Sequence, residues 1–203
     1  MDLFEAMETC RAMRRFKPDP VPRETLERLV HYAICSPTAG NSQLWSFLML
    51  TEPADKEFFG GLIQKVMVPQ LPPDDVVDEA KGAGERRAFR HLIKNFHQVP
   101  AIILTCAMNG YPREEPNPLF VWSTVYPATQ NLLLAARALG IGTCMTTFHM
   151  LAEPEIRKHF GIPDNVHIGA TIPLGYPEGR FGPLTRKPVA KVTHWGRWGA
   201  AAS

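Results

Sequence analysis

Arg11, Arg14, Arg15 and Lys17 crowd one short stretch near the start of the chain. A guanidinium is planar, stays charged and grips oxyanions bidentately, so this cluster could hold a phosphate or a carboxylate. Read as a helix, residues 2–14 set Arg11 and Arg14 three apart on one face. The two charges repel there, and an anionic ligand relieves the repulsion. The plain alternative is a solvated helix end, where cations favour the C-terminal dipole. A second basic turn, Arg180–Pro188 (RFGPLTRKP), brings Arg186 and Lys187 near the other end of the chain.

Two uncharged stretches could also meet a ligand. Ser36–Trp45 (SPTAGNSQLW) offers backbone N–H groups and small polar side chains that can read the edge of a planar heterocycle. An ordinary helix-to-strand connection has the same composition. Leu139–Thr147 (LGIGTCMTT) carries two glycines that permit close backbone approach. GxSxG, HExxH and GxxxxGK[ST] are absent, and no GxGxxG follows a strand.

The elements that must position these residues follow from periodicity. Residues 2–14 fit a helix capped by Asp2, with Leu3, Met7, Cys10 and Met13 on one face. Pro18, Pro20 and Pro22 then keep residues 17–21 extended, and Pro22 opens a helix striped by Leu26, Leu29, Val30, Ala33 and Ile34. Strands are expected at 47–50, 101–106, 143–147 and 167–174, and helices at 126–139 and 153–160. Residues 36–42 and 109–118 read as loops, and 54–98 as helix-like pieces around the break at 69–73. Without a regular βαβ series, α+β is preferred over doubly wound α/β. The tail from Tyr176, rich in Pro and Gly, needs something to cover, and a neighbouring subunit is one candidate.

Composition narrows the classes. The 203 residues suit one domain, 1–203, and a net charge of +2 demands neither nucleic acid nor an acidic membrane. No stretch approaches the ~18 apolar residues of a membrane span, and the N-terminus lacks a signal-peptide core. Cys10, Cys35, Cys106 and Cys144 form no CxxC pair, and the histidines show no metal spacing. The cysteines read as buried thiols in a reducing compartment, which points to the cytoplasm.

Taken together, RAMRRFKPDPVP, SPTAGNSQLW, PATQNLLLAARALGIGT and IPLGYPEGRFGPLTRKPVAKVTHW occur in this order over nearly the whole chain. That series resembles the FMN-dependent nitroreductase family. The resemblance implies an α+β nitroreductase-like fold with a central, mostly antiparallel sheet flanked by helices. It implies an intertwined homodimer that exchanges terminal segments and holds FMN at each of two interface sites. It also implies ping-pong chemistry, in which NAD(P)H reduces the flavin and a small-molecule acceptor, such as a nitroaromatic or quinone, reoxidises it. A more specialised flavoenzyme (dehydrogenase, dehalogenase or flavin-fragmenting) and a flavin-binding storage or sensing protein are the alternatives.

Residue by residue, Arg11 resembles the family's first-helix contact to phosphate and ribityl chain, with Ala12 beside it. Arg14 resembles the cation at the flavin pyrimidine edge, which tunes the ring. Arg186 resembles the C-terminal phosphate arginine, with Lys187 its neighbour. Pro37, Thr38, Ala39 and Asn41 resemble the loop that reaches the flavin from the other subunit. Met145, Thr146 and Thr147 resemble the segment that sets a backbone N–H near flavin N5. No catalytic acid, base or nucleophile is then required, since flavin carries the redox chemistry. The sequence departs from the family where Cys10 and Ala12 stand for its Arg-x-Ser, Leu44 for a common proline, and Thr147 for an acidic residue.

Overall fold

The computed structural model describes residues 1–73 and 82–200, so the part of the 54–98 reading that falls on 74–81 lies outside the described residues. Six helices and four strands follow the order α1 (Leu3–Thr9), α2 (Arg23–Ala33), β1 (Trp45–Leu50), α3 (Pro53–Met67), α4 (Ala83–Lys94), β2 (Ala101–Met108), α5 (Pro118–Ala138), β3 (Gly142–Thr143), α6 (Glu153–Phe160) and β4 (Val166–Gly175). The sheet runs β1-β2-β4-β3, and every pairing is antiparallel. Its alternation builds two cores. Ile102 and Leu104 of β2 join Phe59, Ile63, Leu92 and Phe96 beneath α3 and α4. Ala101 and Ile103 turn to the opposite face, with Leu29, Ala33, Ala128 and Leu132 of α2 and α5.

The first helix is shorter than its periodicity predicts. It ends at Thr9, and Cys10 is already extended. Asp2 does cap it, accepting from the Phe4 N–H at 3.3 Å, but Ala6 is its buried residue while Leu3 and Met7 are exposed. The cause is tertiary. Ala12 bridges Thr143 in parallel, and the Met13 N–H donates to the Thr143 carbonyl at 2.8 Å. The sheet edge offers this segment backbone partners that a continued helix would forgo. Arg11 and Arg14 therefore lie along an extended strip, not on a helix face.

The strip needs Gly142. A Cβ there would stand 2.9 Å from the Cβ of Met13 and 3.1 Å from that of Pro177. Beyond it, the Lys17 N–H donates to the Tyr176 carbonyl at 2.8 Å and the Glu178 N–H to the Arg15 carbonyl at 3.2 Å. Both chain ends are thereby fastened to one sheet edge.

The strand expected at 143–147 is interrupted rather than absent. Thr146 and Thr171 exchange backbone hydrogen bonds, both at 2.9 Å, and the Cys144 N–H reaches the Pro173 carbonyl at 3.1 Å. Proline has no N–H to return the second bond, so the regular ladder stops at Thr143. The helix expected at 126–139 begins at Pro118 instead and carries Pro127 inside it. Pro22 is the N-cap of α2, and Ile34 lies exposed past its end. Glu153–Phe160 is the helix expected from 153–160.

Candidate functional site

A cleft of about 720 Å³ opens where the two chain ends meet β3. Arg11, Ala12 and Arg14 line it from the strip, Met145 from the break after β3, and Leu184, Thr185 and Arg186 from the tail. That volume suits a cofactor-sized ligand. Three guanidiniums face it, and Glu85 of α4 is the one acid among its described lining residues. Such a surplus of fixed positive charge selects an anion, and arginine suits phosphate.

Several contacts hold the cleft walls. Arg137 of α5 donates through Nε to the Thr9 hydroxyl at 2.8 Å, lies 3.7 Å from Glu5, and stacks over the Phe181 ring at 4.1 Å. The Leu184 N–H donates to the Glu8 carbonyl at 3.0 Å. One side chain thus fastens α1 and the tail to the long helix. The tail from Tyr176 to Leu184 rests on its own chain, and its exposed apolar residues come later, at Val189, Val192, Trp195 and Trp198.

Arg14 is the innermost cation, its side chain only 20% exposed. Its Nη1 meets Glu85 at 3.5 Å, a weak contact because the Glu85 side chain is 73% exposed. Its Nε is buried and has no hydrogen-bond partner among the described residues. One guanidinium N–H is thus left unsatisfied in the interior, at a cost of about 1–3 kcal/mol, while Arg14 as a whole lines the cleft as a cation. The buried Cys144 thiol is pushed up by desolvation, with Arg14 opposing. Cys10 is raised in the same way, against Arg137. Neither is a ready nucleophile, since the thiolate is the reactive form.

The other site residues fall into two groups. Thr146 and Thr147 do not line the cleft. The Thr146 hydroxyl donates to the Thr171 carbonyl at 2.8 Å, and Thr147 is exposed. Pro37, Thr38, Ala39 and Asn41 do not line the cleft, and Gly40 between them lies against the Tyr111 ring. Their loop folds as a 3₁₀ turn over Ala39–Asn41, with Asn41 and Gln43 in the left-handed region at φ 51 and 52°. Lys187 is not among the lining residues. Glu85 and Gln130 are, although sequence reasoning did not single them out. Gln130 stood in the quoted PATQN stretch, while nothing in the chain marks Glu85.

An antiparallel four-stranded sheet between helical layers, with an arginine-lined cleft at its edge, defines the class. Residues 8–176 match the model of the nitroreductase family, and the chain belongs to that family of flavoprotein oxidoreductases. An NADH dehydrogenase of Thermus thermophilus is 28% identical over 203 residues, spanning 91% of each chain. An iodotyrosine deiodinase of Nematostella vectensis is 22% identical, covering 94% of this chain and 74% of its own length. Among solved structures, an oxidised iodotyrosine deiodinase bound to FMN and 3-iodo-L-tyrosine superimposes with a TM-score of 0.71 at 20% identity, over 93% of this chain and 96% of that one. A nitroreductase-like protein from Bacillus cereus gives 0.71 at 16% identity, over 96% of both chains. Among the described residues, no helix is long and apolar enough to cross a membrane.

Proposed function

We propose that the chain is an FMN-dependent oxidoreductase that takes electrons from NAD(P)H and delivers them to a nitroaromatic, quinone or similar small acceptor. One observation carries the reading: Arg11, Arg14 and Arg186, from opposite ends of the chain, line a single cleft. Arg11 and Arg186 would hold the phosphate of FMN. The guanidinium of Arg14, the least exposed of the three, would meet the ring. Bound there, the flavin would supply the redox chemistry. Arg14 would provide a fixed cation that favours added negative charge on the bound group. Met145, exposed at the break after β3, lines the same cleft and would offer an apolar surface to a bound ring.

A homodimer belongs to this reading. Trp198 is 93% exposed in the single chain, and β1 is a sheet edge whose outer side has no partner among the described residues. A second copy's tail could cover such an edge, and its Pro37–Asn41 loop could complete the cleft. The four cysteines are free thiols, in keeping with a cytoplasmic protein, but only Cys106 and Cys144 are buried as expected: Cys10 is half-buried, and Cys35, past the end of α2, is exposed. Purified protein is expected to be yellow, to release FMN on heating, and to oxidise NAD(P)H only when an acceptor is added. Release of riboflavin or FAD as the dominant species would sink the reading. An acceptor screen that includes halogenated tyrosines decides between the reductase and the dehalogenase suggested by the deiodinase relatives.

A further inference from the structure

The cleft does not end at Arg14. Beyond it lies a second cavity of about 450 Å³, walled by Met67 and Leu71 on one side and by Arg86, Phe89 and Arg90 of α4 on the other. Arg14 and Glu85 line both cavities, so their 3.5 Å contact stands at the junction. Met67, Leu71 and Phe89 are partly buried and pack on the core beneath α3 and α4, which makes the walls fixed and apolar. Arg86, Phe89 and Arg90 share one helix face at i, i+3 and i+4. Arg90 donates to the Pro72 carbonyl and so ties α4 to the turn after α3. Arg86 is exposed at the rim, with no ion-pair partner among the described residues.

Apolar walls suit a flat or aromatic body, and a rim guanidinium suits an oxyanion. A neutral quinone would use the walls and leave the rim in water. We infer that this second cavity is the substrate site, and that it selects a flat molecule bearing an anionic substituent, with Arg86 as the specificity residue. The inference rests on the flavin reading above, because the junction at Arg14 is what links the two cavities. The anion has two sources with the same chemistry: a carboxylate on the acceptor, or the additional ribose phosphate of NADPH.

The test uses FMN-loaded native protein and Arg86→Ala, with Arg86→Lys as the conservative variant. para-Nitrobenzoate and para-nitrobenzamide differ in charge and little in shape. Their affinities for the oxidised holoprotein are read from the flavin difference spectrum, and kcat/KM from steady-state turnover with NADH. The native protein is expected to prefer the carboxylate. Arg86→Ala should cut the carboxylate-over-amide ratio about tenfold, the worth of one hydrogen bond to a charged group at a half-open rim, and Arg86→Lys should restore part of it. A flat acceptor ratio, with an NADPH-over-NADH preference that Arg86→Ala removes, places the anion on the reductant. If neither ratio departs from unity, or if either survives Arg86→Ala unchanged, the inference is overturned. Protein that releases no FMN refutes the flavin reading instead, so the two failures are distinguishable.

Discussion

The cationic cleft and the Ser36–Gln43 loop are opposites in construction. The cleft is assembled from residues as far apart as Arg11 and Arg186, and backbone bonds fasten its walls on both sides. The loop is local. It bonds mainly to itself, through the Gln43 N–H to the Thr38 hydroxyl and the Gln43 amide to Asn41, both at 3.1 Å. It is also strained: a left-handed non-glycine residue costs of order 1 kcal/mol or more and persists where the surroundings or a function require it. Asn41 and Gln43 both sit there. The difference teaches that one chain builds an arginine-lined cleft by itself, while under the proposed dimer the amide-rich loop would serve the partner's site. Two chains facing each other would supply both halves.

The hardest blow to the comparison comes from its hinge, Gly142. Its missing Cβ is what lets Met13 lie against β3. Gly142→Val must push the strip away or distort the sheet edge, and overpacking of this kind costs about 1–3 kcal/mol. FMN affinity should fall by up to about a hundredfold, since Arg11 and Arg14 ride on the strip. Gly40→Ala strains the loop against the Tyr111 ring but leaves the strip in place. Fluorescence titration of FMN compares the two, and a larger loss in Gly40→Ala would invert the assignment of the two regions.

Arg186→Ala comes next. One hydrogen bond to a charged group is worth roughly 1.5–3 kcal/mol, so FMN should bind about ten- to a hundredfold more weakly. Unchanged affinity would make Arg186 a surface charge, whose one hydrogen-bond partner among the described residues is the neighbouring Thr185 carbonyl at 3.0 Å. This residue also shows what the chain discloses and what it hides. The basic turn was legible because arginine, glycine and proline announce themselves locally. Its meeting with Arg11 was not, because that depends on Arg137 clamping Thr9 and Phe181 together across α5. Likewise, α6 was legible to the residue, because its acidic first turn, basic last turn and the left-handed Gly161 that ends it are local. It overran α1 by several residues, because the competing partner, Thr143, lies far along the sequence. Glu85 left no trace at all, since a lone acid on a polar helix face resembles every other.

A mixed dimer tests the two halves directly. Arg14→Ala and Asn41→Ala should each impair activity as homodimers, with one lesion in every site. When the two variants are co-expressed with different tags and the mixed dimer is isolated, a shared site gives one flavin both lesions and the other none. Activity should then rise to about half of native, as for one intact site of two. Activity at the average of the two mutants would mean that each chain builds its whole site alone.

The smallest effect separates the regions by pH. The loop from Ser36 to Gln43 has no titratable side chain, whereas the segment that leaves the cleft carries buried His149. Burial lowers its pKa below the ordinary 6.5, with Arg157 acting in the same direction and Glu153 and a hydrogen bond to the Ile168 backbone opposing. The Thr171 hydroxyl accepts from the His149 backbone N–H and lies 3.1 Å from Nδ1. It can donate to Nδ1 only while that nitrogen is unprotonated. Because the folded pKa is depressed, the unfolded chain binds the proton more readily. His149 therefore contributes stability that is complete above pH 6.5 and is lost as the pH falls through the folded pKa. His91 is lowered too, by burial and by Arg15, so acid sensitivity will not vanish when one histidine is removed. His149→Gln keeps a polar group beside Thr171 but cannot titrate. Its thermal midpoint should sit below that of the native protein at neutral pH, and the gap should narrow as the solution is made acidic. Parallel curves would show that His149 stays neutral throughout and that the segment after β3 is as indifferent to acid as the loop.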